Sequence, residues 1–209
     1  MTLTRRASLM SLFAAPAAGA LFAWSTNGPA SATKSTPKVP PAGGFGAQYF
    51  PNVLLRTHEG EEVRFYDDLL QGKSVIINMM YTLCQDGRCG VITSNLVALQ
   101  RELGDRVGRD IFMYSISLKP LEDTPRMLLE YAARQHVGPG WQFLTGDPAD
   151  IELLRRRLGF INVNPVKDAD INSHTGAVRF GNERLERWCM APGGTNPRYL
   201  ATLVESALL

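Results

Sequence analysis

Two cysteines, Cys84 and Cys89, stand with four residues between them in the run Tyr81-Thr82-Leu83-Cys84-Gln85-Asp86-Gly87-Arg88-Cys89-Gly90. Thiols this close can act together in two ways. They can grip a soft metal ion, or they can cycle between dithiol and disulfide in exchange with another protein. Both chemistries need ionised sulfur, so the surroundings of the pair matter. Arg88 supplies a positive neighbour, and the backbone N–H groups of a helix start favour negative charge. This setting predicts that one or both sulfurs ionise more readily than a free cysteine. On one regular helix the two positions would lie about 140° apart and share no face. A loop holding Cys84, with Gly87 permitting a tight bend, removes that obstacle. The alternative, two structural thiols or a disulfide that only staples the loop, leaves the placement of the cysteines unexplained.

The neighbouring elements must position the pair. Ser74–Tyr81 (SVIINMMY) is an unbroken apolar run of strand length, suited to the middle of a sheet covered on both faces. From Val91 to Leu103, apolar residues at Ile92, Leu96, Leu99 and Leu103 follow helical spacing. Cys84 is therefore predicted in a strand-to-helix loop at the carboxyl edge of a sheet, where α/β proteins place their sites, with Cys89 near the helix start. Asp110–Ser117 reads as a second buried strand, and Asp123-Thr124-Pro125 opens a helix to about Gln135. Trp141–Leu144 is a short strand, followed behind Asp147-Pro148 by a helix from about Ala149 to Leu158. Val53–Arg56 and Glu62–Phe65 predict one hairpin around Glu59-Gly60. Ala177–Phe180 and Arg184–Cys189 predict another around Gly181-Asn182. Asn196-Pro197 caps a last helix. This order predicts an α/β fold, a mixed sheet with helices on both faces.

The chain has 209 residues and is 44% hydrophobic, enough for one domain with a real core. A formal net charge of +2 gives no basic face for nucleic acid, and three cysteines are too few for a disulfide scaffold. Residues 1–32 read as an export signal of twin-arginine type. Arg5-Arg6 precedes an alanine-rich apolar stretch from Ala7 to Trp24, and Ala30-Ser31-Ala32 offers small residues for cleavage. The stretch approaches spanning length, so membrane association through this N-terminal segment is its other reading. Residues 33–44, rich in Pro, Lys, Ser and Gly, form a flexible leader, and 45–209 the domain. Export places that domain in the periplasm or on the outer face of the cytoplasmic membrane, where thiols can be oxidised.

Cys189, beside Trp188 and Met190, is expected to be a buried, inert thiol, with exchange against Cys84 or Cys89 as the alternative. Met79 and Met80 belong to the core. His58, His136 and the run Arg155-Arg156-Arg157 are read as solvated, the arginines making at most a weak contact with an acidic partner.

The cysteine segment resembles the Sco/SenC family of copper-binding, thioredoxin-fold proteins that help assemble the copper sites of respiratory oxidases. Members carry Cys-x-x-x-Cys-Pro after a buried strand, commonly led in by an aromatic residue and Thr, and Tyr81-Thr82-Leu83-Cys84 matches that lead-in. Ile116 to Pro125 resembles the family's strand end and Asp-Thr-Pro helix start, and Trp141–Gly146 its next strand. Ser173-His174-Thr175 lies where the family has its metal-binding histidine. The likeness runs in order from about Phe50 to the C-terminus. It implies a thioredoxin-like fold and a copper site, for Cu(I) or Cu(II), made of Cys84, Cys89 and His174. Two thiolates and an imidazole suit that metal. Three departures accompany the likeness: one extra residue between the cysteines, Gly90 in place of Pro, and Lys119 where the family usually carries Asp.

What the resemblance implies is an exported protein that delivers copper to a copper-acceptor subunit of a respiratory oxidase. The alternative is a thiol–disulfide oxidoreductase, with Cys84 and Cys89 as its catalytic pair, acting on cysteines of an exported or membrane acceptor. The first needs His174; the second does not.

Overall fold

The computed structural model describes residues 45–84 and 86–208. The expected export signal and leader lie outside the described residues, as does Gln85 between the two cysteines. In chain order the strands are β1 (Leu54–Thr57), β2 (Glu62–Arg64), β3 (Ser74–Met80), β4 (Ile111–Ser117), β5 (Trp141–Gly146), β6 (Ala177–Asn182) and β7 (Arg187–Pro192). The helices are α1 (Phe45–Tyr49), α2 (Arg88–Leu103), α3 (Pro125–Arg134), α4 (Pro148–Arg157), α5 (Pro165–Ala169) and α6 (Pro197–Leu208).

The apolar run of β3 organises the rest. Successive side chains of a strand point to opposite faces, so a strand buried on both sides is apolar nearly throughout, and the buried Asn78 of β3 is satisfied by accepting from Ser115 Oγ at 2.6 Å. Ile76 and Met80 enter one core with Leu96 and Leu99 of α2, Leu128 and Tyr131 of α3, and Leu200 and Val204 of α6. Val75, Ile77 and Met79 enter the other, with Phe65 and Leu69 from a wide π-type turn (Phe65–Leu70) and Ile151 and Leu154 of α4. The sheet runs β2-β1-β5-β4-β3-β6-β7. Its centre, β5-β4-β3, is parallel, and the flanking pairs are antiparallel. This is the thioredoxin-like α/β arrangement expected, with helices on both faces, and both methionines are buried in it.

Helix starts follow their capping residues. Thr124 Oγ1 accepts from Met127 N at 3.3 Å, and Asp147 Oδ1 accepts from Ala149 N at 2.8 Å, each with proline next in sequence. The start of α2 lies earlier than the apolar spacing predicts, at Arg88, which puts Cys89 inside the first helical turn.

Several expectations are corrected. The second hairpin does not turn at Gly181-Asn182, which belong to β6; the chain reverses through Glu183–Glu186, with Glu186 at φ 54°. Gly181 serves close packing instead, since a Cβ there would fall 2.2 Å from the Arg187 carbonyl oxygen and 2.6 Å from the Trp188 ring. Cys189 is exposed, because β7 is the last strand of the sheet; its cross-strand neighbour Phe180, one strand further in, fills the core. His58 is not solvated: it is half-buried, and its Nδ1 accepts from Phe143 N at 3.1 Å. His136 is exposed, as expected.

Arg155 departs furthest from its reading. Its guanidinium forks onto both carboxylate oxygens of Asp168 at 2.7 and 2.9 Å, pairs with Glu152 and donates to the Phe160 carbonyl at 3.0 Å. Its side chain is 12% exposed; Arg156 and Arg157 remain on the surface.

Candidate functional site

The chain leaves β3 through Tyr81, which is fully buried, and Thr82, which is tied down by a buried carboxylate. Asp123 is 1% exposed and accepts from Thr82 Oγ1 at 2.6 Å, from Thr82 N at 3.3 Å and from Ser117 Oγ at 2.5 Å. Tyr81, Thr82 and β4 are thereby locked together two residues before the first cysteine. Gly87 N donates to the Cys84 carbonyl at 3.2 Å, and Gly87 takes φ 72°, a left-handed conformation that glycine adopts without strain. Gly87 then delivers the chain into α2. Gly90 lies in the first helical turn, and nothing in the structure requires glycine there.

The sulfurs end up in different surroundings. Cys84 is half-buried, and its Sγ accepts from the Cys89 N–H at 3.4 Å, so it is the sulfur that faces the helix start. Its S–H donates to Asp86 Oδ1 at 3.0 Å. Cys89 is buried at 1% exposure among the residues of the core that α2 covers. Burial pushes its thiol pKa up to about 12, the adjoining Cys84 adding to the effect. Of the two sulfurs, Cys89 is therefore not the one that its surroundings make easier to ionise. Its side chain turns inward, where desolvation outweighs the helix start. All three cysteines are free thiols.

The histidine comes from the other side. After α4 the chain runs through α5 and the short helical turn Ile171–Ser173, neither foreseen from the sequence, to His174. His174 Nδ1 lies 3.1 Å from the Ile171 carbonyl oxygen, and Nε2 lies 3.6 Å from Cys89 Sγ. A proton on Nδ1 satisfies that carbonyl and leaves the Nε2 lone pair facing the thiol, the arrangement a ligating imidazole needs. Burial lowers the pKa of His174, which keeps the ring neutral to lower pH than usual. The Tyr81 ring stands edge-on to the imidazole, 5.6 Å between centroids, and its hydroxyl donates to Asn172 Oδ1 at 2.9 Å. Lys119 Nζ covers the Tyr81 ring at 4.9 Å and pairs with Glu122 at 3.3 Å, so this position puts a cation on the wall of the site.

Arg88 joins the halves: its guanidinium pairs with Asp86 and also donates to the Asn172 carbonyl, two residues before the histidine. The cysteine loop and the histidine segment are thus held to one another directly. The structure brings Cys89 and His174 into contact and Cys84 alongside Cys89. No three His, Cys, Asp or Glu side chains are already gathered at ion-holding distance among the described residues. Donors on one ion at ~2.3 Å (sulfur) and ~2.0–2.1 Å (nitrogen), at trigonal or tetrahedral angles, stand about 3.5–3.8 Å apart. The Cys89–His174 pair already has that spacing, and closing the site requires Cys84 Sγ to move toward it.

Sequence reasoning missed the residues that position these groups. Arg155 and Asp168 clasp the segment between α4 and His174, with Asp168 Oδ1 also accepting from Asn162 N at 2.7 Å. Arg155→Met is expected to cost roughly 2 kcal/mol, between the values for exposed and buried pairs. It should also open this segment. Hydrogen exchange provides the check: the Asn162 amide and those from Asp168 to Asn172 should exchange faster while β3 and β4 amides do not. Unchanged protection would show that the clasp does not hold the histidine segment.

A family model described as SCO1/SenC matches residues 47–206. Among curated proteins no sequence matches. Solved structures do. The ScoI protein of Bradyrhizobium japonicum with copper bound is 24% identical, with a TM-score of 0.59 over 74% of this chain and 96% of that one. A SCO1/SenC family lipoprotein from Bacillus anthracis is 19% identical, with a TM-score of 0.62 over 76% of this chain and 94% of that one. BsSco, described as a member of the Sco family of cytochrome c oxidase assembly proteins and as having a disulfide switch, is 22% identical, with a TM-score of 0.59 over 74% and 90%. At these identities the structures share the fold.

Proposed function

Since the chain belongs to the SCO1/SenC family, we propose that it binds copper through Cys84, Cys89 and His174 and delivers it to the copper-acceptor subunit of a respiratory oxidase. Residues 1–32 would export it to the periplasm or hold it at the outer face of the cytoplasmic membrane, where such an acceptor is reached. The observation that carries this reading is the 3.6 Å approach of His174 Nε2 to Cys89 Sγ, a spacing suited to two donors of one ion. The copper-bound relative from Bradyrhizobium and the oxidase-assembly description of BsSco support the choice of metal and of acceptor. Each residue has a definable task. Cys89 and His174 form an inner pair already oriented, Cys84 adds a second sulfur from the more exposed loop, and the Ile171 carbonyl fixes the imidazole tautomer.

Anaerobic copper titration of the reduced protein, with thiols counted before and after, tests the reading: about one copper per chain is expected, and no stoichiometric binding would end it. The titration also has a signed pH dependence. Burial keeps the Cys89 thiol protonated well above the ordinary thiol range, so an ion must displace its proton at every ordinary pH. His174, with its pKa lowered, has no proton on Nε2 to lose near neutrality. Apparent affinity should therefore rise by about tenfold per pH unit from Cys89 alone between roughly pH 6.5 and 8, with protons released on binding. A pH-independent affinity would place Cys89 outside the site.

A second reading draws on the contrast between the sulfurs. A half-buried Cys84 at the helix start with a buried Cys89 behind it is the arrangement of an attacking and a resolving thiol. Reduced Cys84 would attack an acceptor disulfide, and Cys89 would then displace the acceptor thiol. The products are a Cys84–Cys89 disulfide and a reduced acceptor, two electrons having passed. This activity should survive His174→Ala, whereas copper binding should not.

A further inference from the structure

The carboxylate of Asp86 faces the site and is used by neither reading above. Its contacts are Cys84 Sγ, which donates to Oδ1 at 3.0 Å, Arg88 N, which donates to Oδ1 at 3.0 Å, and the Arg88 guanidinium, which donates to Oδ2. We propose that Asp86 Oδ1 is a further ligand, so that the ion lies between two donor pairs, Cys84–Asp86 and Cys89–His174, and that this oxygen favours copper in its divalent state. The inference rests on the copper reading of the site.

Three observations support it. First, sulfur and carboxylate oxygen bound to one ion at right angles, at ~2.3 and ~2.0–2.2 Å, stand about 3.0–3.2 Å apart. The Cys84–Asp86 separation meets that requirement, so an ion can take the place of the proton the two now share. Second, the carboxylate is already braced in the way metal-binding carboxylates are, by hydrogen bonds from the Arg88 backbone and guanidinium. Third, the same guanidinium donates to the Asn172 carbonyl in the segment that carries His174, so the brace that holds Asp86 also ties it to the opposite donor pair. A hard oxygen donor set at right angles to sulfur suits tetragonal Cu(II); Cu(I), satisfied by soft sulfur and imidazole, gains little from it.

The test compares wild type, Asp86→Ala and Asp86→Asn, titrated with Cu(II) and, anaerobically, with Cu(I). Electron paramagnetic resonance and the sulfur-to-copper absorption band are recorded on the Cu(II) forms. Both substitutions should weaken Cu(II) binding about ten- to a hundredfold, alter the copper hyperfine splitting and leave Cu(I) affinity within about threefold. Unchanged Cu(II) affinity and spectrum, tighter Cu(II) binding, or equal loss of both oxidation states would each overturn the assignment of Asp86 while leaving copper binding standing. Failure of wild type to bind either ion would overturn the copper reading, and this proposal with it.

Discussion

Cys89→Ala is expected to lower copper affinity by roughly a hundred- to a thousandfold, the loss of one strong donor from a set of three or four. Cys89 is central to the proposed site because it touches both remaining groups. Its Sγ lies 3.6 Å from His174 Nε2, and its N–H is donated to Cys84 Sγ. Since Cys89 is also part of the core, the same substitution leaves a small void and should cost about 1 kcal/mol of stability. Cys84→Ala separates the two effects. Cys84 is half-buried in the loop, so its loss should weaken copper binding to a similar extent with little change in melting temperature. Equilibrium copper titration alongside thermal melts of both variants provides the comparison. A folded Cys89→Ala protein that binds copper as tightly as wild type would remove the buried sulfur from the site.

Asp123→Ala should be the most damaging change outside the proposed ligands. The carboxylate is buried and gathers the hydroxyl of Ser117 and both the hydroxyl and the amide of Thr82. Removing it leaves these donors in a dry environment without an acceptor, at a cost of about 2–4 kcal/mol. In a domain of this size that corresponds to a fall in melting temperature of roughly 5–15 °C. Because Thr82 is two residues from Cys84, copper affinity should fall as well, through a loop no longer held at its base. Asp123→Asn keeps one acceptor oxygen and should lie between the two. Calorimetry that found Asp123→Ala within a degree of wild type would show that Ser117 and Thr82 find other partners.

The parts of this architecture that were legible in the sequence are those governed by local chemistry. The apolar run of β3, the helical spacing of α2 and the Thr124-Pro125 and Asp147-Pro148 helix starts each carry their reason within a few residues, and the structure has them at or near the expected positions. The strand–loop–helix setting of Cys84 follows from them. What was not legible depends on distant partners. Arg155 looks solvated in a run of three arginines, and only the arrival of Asp168 from a separate segment buries it. Gly181 looks like a turn residue, but its lack of a side chain admits Trp188 from the next strand. Cys189 looks buried beside an aromatic residue and a methionine, and nothing local marks β7 as the end of the sheet. Cys89 looks activated by its helix start, while the direction of its side chain, into the core, decides otherwise.

On the proposed copper reading, the unequal depth of the two sulfurs would give traffic through the site a direction. Cys89 sits sealed within the core and Cys84 at its margin. A visiting protein would meet Cys84 first, so cargo held between the pair would leave by its outermost bond and keep its innermost until the recipient had taken hold. Such a stepwise handover would set no bare ion loose in solution. Escape without a recipient would instead have to break every bond unaided, so the same geometry would separate fast transfer from slow leakage.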